Sequence, residues 1–273
     1  MQQLSQDWRQ RGDRLVLVPT MGYFHAGHLS LMEYGRTQGD RLVVSIFVNP
    51  TQFGPQEDLA RYPRDLARDC EMAAGVGVDL IFAPTAAEMY PAGYQTFVEV
   101  TEVTRGLCGT SRPTHFRGVA TVVLKLFNLV QPHLAVFGEK DYQQLITIKR
   151  LVADLNVPVT VVGRPLVREA DGLALSSRNV YLTPAERRAA LKLSQALFQA
   201  RELAARGERS RPHLFAAIEP LLQSEPLISL DYLALVDVDT LAEVSVISHQ
   251  ARLAVAAYVG QTRLIDNILL EVP

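Results

Sequence analysis

The sequence predicts an α/β protein: a doubly wound parallel sheet followed by a smaller C-terminal α+β domain. Three observations predict it. Short continuous runs of Val, Ile and Leu recur through the first 167 residues. Amphipathic helical patterns separate those runs. Beyond residue 167 the order changes to two helices and then three strands. Continuous apolar runs suit parallel strands covered on both faces, and the alternation with helices suits crossover connections.

Residues 14–18 (RLVLV) open the series as a buried strand, and residues 42–48 (LVVSIFV) form a second, stopped by Asn49-Pro50. Residues 79–83, 133–137 and 157–162 complete the set of five. Helices are expected over residues 28–38, 64–75, 118–130 and 142–155. Residues 184–206 read as a long helix with Pro184 in its first turn and Gly207 after its end. A second helix is expected over 212–222, and strands over 229–238, 251–258 and 262–270. The domain limits are therefore 1–167 and 168–273, with Gly163, Pro165 and Gly172 near the joint.

Composition narrows the function. Of 273 residues, 48% are apolar and 21% charged, which is ordinary for a globular protein. Net charge is -2 and the isoelectric point about 6.3, whereas a nucleic-acid binder usually carries a clear basic excess. No partner of that kind is expected. Residues 1–13 are polar and lack a signal core, and no apolar run approaches the ~20 residues of a membrane helix. Cys70 and Cys108 allow at most one disulfide. A cytoplasmic protein without membrane attachment is expected.

In a doubly wound sheet, ligands sit beyond the carboxyl ends of the strands. Residues 19–28 (PTMGYFHAGH) lie there, between a strand and a helix start. Backbone N–H groups at such a start attract phosphate, and Gly22 and Gly27 permit close approach. His25 and His28, three apart, can share a face and donate to phosphate oxygens. An isolated pair of this spacing is weak; the strand–loop–helix setting strengthens it. Zinc is disfavoured, because no Glu stands as in H-E-x-x-H and neither cysteine is close. Asn49 and Gln52 follow the second strand and offer amides to a small hydroxy acid, although Asn-Pro also reads as a plain turn. After the fourth strand, Gly138, Glu139, Lys140 and Asp141 open a helix. Lys140 is a point charge for phosphate, Asp141 a helix cap or a ribose contact, and Gln144 lies one turn on. Residues 168–179 (READGLALSSRN) form either a phosphate clamp through Ser176, Ser177 and Arg178 or a polar linker. Residues 109–118 (GTSRPTHFRG) are similarly polar, covering a site or merely exposed.

PTMG-x-x-H-x-GH, SIFVNPTQFG, PTHFRG, FGEKDYQQ and READGLALSSRN occur in this order over nearly the whole chain. Together they resemble the pantoate–β-alanine ligase family. The resemblance implies a Rossmann-like nucleotidyltransferase fold and formation of pantothenate, AMP and pyrophosphate through a pantoyl-adenylate. It implies ATP contacts at Met21, Gly22, Tyr23, Phe24, His25, Ala26, Gly27 and His28, at Gly138, Glu139, Lys140 and Asp141, and at Val167, Leu175, Ser176, Ser177 and Arg178. His28 is then the proton donor, with His25, Lys140 and Arg178 beside it in the chemistry. Gln52 is implied for pantoate and β-alanine, and Gln144 for pantoate; Asn49 joins them as an amide at the same site. ATP with Mg²⁺ and a homodimer are implied as well. Tyr23-Phe24 departs from a frequent Ala-Leu and bears on the nucleotide entrance; Leu175 replaces a usual Met. The alternatives are another adenylyltransferase of the same fold and a non-catalytic nucleotide-binding module.

Overall fold

In the computed structural model, which describes Met1–Pro273, the chain begins with helix α1 (Gln2–Gln10). That polar segment forms a helix because Ser5 and Trp8, three apart, give it one buried side. Strand β1 (Leu15–Thr20) follows, with Leu15 to Val18 fully enclosed. Next come α2 (Ala26–Arg36), β2 (Arg41–Ile46), α3 (Leu66–Gly75), β3 (Leu80–Phe82), and the short α4 (Ala86–Met89) and α5 (Cys108–Ser111). Helix α6 (His115–Val130) ends where Gln131 turns left-handed at φ 48°. Strand β4 (Leu134–Gly138), α7 (Tyr142–Asp154) and β5 (Thr160–Arg164) complete the series.

These five strands are parallel in the order β3-β2-β1-β4-β5. The order reverses between β1 and β4, so the loops after them flank the switch point. β1, β2 and β4 are sheathed on both faces, as their continuous apolar runs predict. The edges depart from that expectation. β3 has only three residues, each half-buried, and β5 starts at Thr160 rather than Val157. Pro158 has no N–H to give a ladder, and Val159 N–H turns back to the Val157 carbonyl.

The C-terminal part contains α8 (Pro184–Ala205), α9 (Arg211–Gln223), β6 (Ile228–Val236), β7 (Gln250–Val259) and β8 (Thr262–Glu271). Thr183 and Glu186 form a capping box at the start of α8, with Pro184 in the first turn. The three strands are antiparallel in the order β6-β7-β8. Leu193 and Leu197 of α8 and Leu214 and Ile218 of α9 pack in one core with Leu253 and Val255 of β7. Each contributes about 1.5–3 kcal/mol by leaving water.

Two structural units result. One holds Met1–Thr104, Arg112–Glu139 and Gln144–Pro165; the other holds Arg105–Ser111, Lys140–Gln143 and Leu166–Pro273. Lys140 thus belongs with the antiparallel sheet, although the sequence places it among the parallel strands. No helix is long and apolar enough to cross a membrane.

Candidate active site

In the first unit, the loop after β1 is shaped by a carboxylate that the sequence reading missed. Gly22 sits at φ +84°, and a Cβ there would lie 2.9 Å from Asp69 Oδ2 and from Ile46 Cγ2. Only glycine fits. Tyr23, at φ 54°, is also left-handed, which costs a non-glycine residue energy. Asp69 compensates: its two oxygens accept the N–H groups of Tyr23 and Phe24, each at 2.7 Å. Asp69 is itself buried, on the inner face of α3 with Ala73. An acid at an apolar position of an amphipathic helix was the available signal. Phe24 is buried in the core, and its ring lies 5.5 Å from His28. The Phe24 side chain therefore packs in the core, which leaves its backbone for any nucleotide contact; Tyr23, with the Arg68 guanidinium 5.3 Å over its ring, remains partly open.

His25 is the N-cap of α2, and His28 occupies the third helical position. The Gly27 N–H donates to His25 Nδ1 at 3.2 Å, and the His25 N–H donates to His28 Nδ1 at 3.3 Å. A backbone N–H can only donate, so each Nδ1 must be the accepting nitrogen. In the neutral rings the protons therefore sit on Nε2. The ring centroids are 4.1 Å apart. The expected shared face is present, and the pair also caps the helix.

The segment after β2 forms a 3₁₀ turn, Pro50–Gln52. Asn49 is enclosed and its amide is occupied on all sides. Its Oδ1 accepts from Thr51 and from the Tyr90 hydroxyl at 2.8 Å; its Nδ2 donates to Gln52 Oε1 and to the Gly118 carbonyl, both at 3.1 Å. Asn49 thus orients Gln52. With Gln52 Oε1 accepting from Asn49, the amide NH₂ lies toward Met21, 3.3 Å from its sulfur. The Gln52 amide and the histidine loop are consequently neighbours.

The 109–118 stretch, left open by sequence, supports Gln52 from behind. Arg112 donates to its carbonyl at 3.3 Å, and His115 Nδ1 lies 2.9 Å from the same oxygen. Arg112 also grips Glu57 with two bonds of 2.7 and 2.5 Å. Burial pushes the Glu57 carboxyl upward, but Arg112 and the Gly54 N–H hold it below the usual glutamate range. Gln144 sits half-buried in the first turn of α7.

In the second unit, Lys140 lies in a 3₁₀ turn, Glu139–Asp141, with its Nζ 3.7 Å from Asp141. Residues 167–175 form a small hairpin: Leu175 N–H donates to Val167, and Arg168 pairs with Ala174. Ser176 then caps a 3₁₀ turn, Ser177–Tyr181, by accepting the Arg178 N–H. Glu169 binds Arg187 at 2.6 Å and Asn179 at 3.2 Å, so the segment is ordered within its own unit. No group of three or more His, Cys, Asp or Glu side chains is placed to hold a metal.

Residues 1–269 match the sequence profile of pantoate-beta-alanine ligase. The chain belongs to that family. It is 57% identical to a pantothenate synthetase of Syntrophobacter fumaroxidans over 271 residues, covering 99% of this chain and 96% of that one. For the enzyme of Moorella thermoacetica the identity is 58%, covering 97% and 93%. Pantothenate synthetase from Thermus thermophilus superposes with a TM-score of 0.92 at 50% identity, covering 97% and 96%. A ligase from Francisella tularensis, complexed with β-γ ATP and β-alanine, gives a TM-score of 0.81 at 34% identity, covering 98% and 94%. Family membership agrees with the architecture, a five-stranded parallel sheet and a separate antiparallel one.

Proposed function

We propose that this chain condenses pantoate with β-alanine, using ATP, to give pantothenate, AMP and pyrophosphate. A pantoate carboxylate oxygen attacks the α-phosphorus, and the bond to the β-phosphate breaks, releasing pyrophosphate. The β-alanine amine then attacks the acyl carbon. AMP leaves, and the amine loses a proton. The first step brings anions together, so it depends on donors and positive charge more than on covalent help from the protein.

The observation that carries this reading is the histidine cap of α2 beside the amide of Gln52. His25 and His28 offer Nε2–H groups to phosphate, with His28 as proton donor. Residues 21–24, 26–27 and 138–141 complete the nucleotide contacts of this reading, together with Val167 and residues 175–178. Lys140 and Arg178 supply charge. Gln52 and Gln144 hold pantoate, Gln52 also β-alanine, and Asn49 acts through Gln52. Mg²⁺ would arrive on the nucleotide and neutralise phosphate charge, since the side chains form no cage for it.

We further infer a cytoplasmic homodimer. Cys70 and Cys108 are both free thiols, which suits a reducing compartment. Another adenylyltransferase is not favoured, because neutral amides rather than cations face the acid. The test is a product assay with ATP, pantoate and β-alanine, omitting each in turn. AMP and pantothenate should appear only with all three. AMP release at full rate without pantoate would overturn the assignment.

A further inference from the structure

On β8 two polar residues stand side by side, Asp266 and Asn267, and both are nearly inaccessible. Successive residues of a strand face opposite sides of the sheet. Asp266 shares its side with Leu264 and Ile268 of the helix-packed core, and Asn267 lies on the other side, opposite Ala254 of β7. Buried polar groups persist when they are bonded, so the partners show what these two residues hold.

Asp266 holds the hairpin. Arg168 binds it in a forked pair, Nη1 to Oδ2 at 2.6 Å and Nη2 to Oδ1 at 2.9 Å. Arg168 Nη1 also donates to the Gly172 carbonyl at 3.0 Å, at the tip where Gly172 turns at φ +98°. The returning arm of the hairpin leads directly into residues 175–178. Asn267 holds the other segment. Its Nδ2 donates to the Lys140 carbonyl at 3.0 Å, while its Oδ1 accepts from Arg252 at 3.2 Å. The Arg252 guanidinium lies 3.9 Å over the Tyr142 ring, and the Tyr142 hydroxyl donates to the Val238 carbonyl. Lys140 is thus anchored by its own carbonyl and by the chain two residues later.

We propose that Asp266 and Asn267 are positioning residues for the adenylation step, setting the 175–178 segment and Lys140 from one point on β8. The inference rests on the nucleotide role assigned above to Lys140 and Arg178. Lysine is a point charge on a flexible stem, so the backbone beneath it decides where that charge can reach. A misplacement of about 1 Å can cost on the order of a hundredfold in rate.

Asn267→Asp tests the bond while preserving volume and the Arg252 acceptor; the donor to the Lys140 carbonyl is replaced by a carboxylate oxygen that cannot donate. Pantoate-dependent pyrophosphate release should fall by on the order of tenfold or more, with KM for pantoate changed less than about twofold. In a Lys140→Ala background the same substitution should cause no further loss, because contributions through one group do not multiply. Asp266→Asn should show that relation with Arg178→Ala. Asn267→Ser, small and uncharged, gives the same reading should the aspartate unfold the sheet. Impaired release in Lys140→Ala with full release in both Asn267 variants overturns this inference alone. Losses that multiply mark a merely structural role and also overturn it. Full release in Lys140→Ala overturns the nucleotide assignment and this inference with it.

Discussion

His25 and His28 act as a pair because the Nδ1 of each ring accepts a backbone N–H at the start of α2. In the proposed reading, their Nε2 protons donate to phosphate. Truncating one therefore removes a donor and a helix cap together, and the two effects separate by size. His28→Ala should cost about 1 kcal/mol of stability for the cap. Pyrophosphate release should fall by on the order of a hundredfold, as loss of a preorganised donor does. Urea unfolding and a pyrophosphate assay read the two separately; near-normal release would remove His28 from the chemistry. Asp69 presents the opposite balance. Asp69→Ala leaves the Tyr23 and Phe24 N–H groups unbonded, each costing about 1–3 kcal/mol when buried. Unfolding should shift markedly toward lower urea, and binding of ATP should weaken because Tyr23 loses what holds it left-handed. An unchanged midpoint would show that the loop does not depend on this carboxylate.

Helix α6 and strand β4 make predictions as elements. At Gly118 a Cβ would lie 2.5 Å from the Thr51 carbonyl oxygen and 2.7 Å from Gln52 Cα. Ala is preferred to Gly within a helix by about 1 kcal/mol, but backbone cannot yield as a side-chain tip can. The clash should win, displacing Gln52. Gly118→Ala should raise KM for pantoate by on the order of tenfold with a smaller change for ATP, and steady-state kinetics decide it. His133, just before β4, accepts the Leu15 N–H on Nδ1 at 3.0 Å. Burial, then Arg9 and Arg14, lower its pKa. With the folded value below the unfolded one, its contribution is full above about pH 6.5. It is lost as pH falls through that value toward the folded pKa. Urea midpoints should drop over that acidic range in the parent chain and less so in His133→Asn, whose amide oxygen can still accept. Equal slopes would rule out His133 as the source.

At the scale of the whole molecule, the assembly inferred above is testable directly. Sedimentation equilibrium at micromolar concentration should return twice the chain mass, since closed twofold pairs are the commonest assembly. A single-chain mass would refute the homodimer. Within the chain, much was legible from sequence because it depends on local pattern. Continuous apolar runs and intervening helices determined the strands and their parallel pairing. Gly22, the two histidines, Asn49, Gln52 and Lys140 all fell in loops that the alternation places at strand ends, and Arg178 in the polar segment after residue 167. What supports them was not legible. Asp69 meets Tyr23 across 46 positions, Arg112 meets Glu57 across 55, and Asn267 meets Lys140 across 127. No spacing or periodicity encodes such pairs. Asn49 shows the same limit in reverse: its place at the end of β2 is legible, but folding turned its amide toward Gln52 and Gly118. The sequence by itself determined the family, the α/β class and the candidate loops, because motif and period are local properties. Only the tertiary structure decided which buried groups hold those loops and that Lys140 belongs with the antiparallel sheet, because those outcomes come from packing between distant parts of the chain.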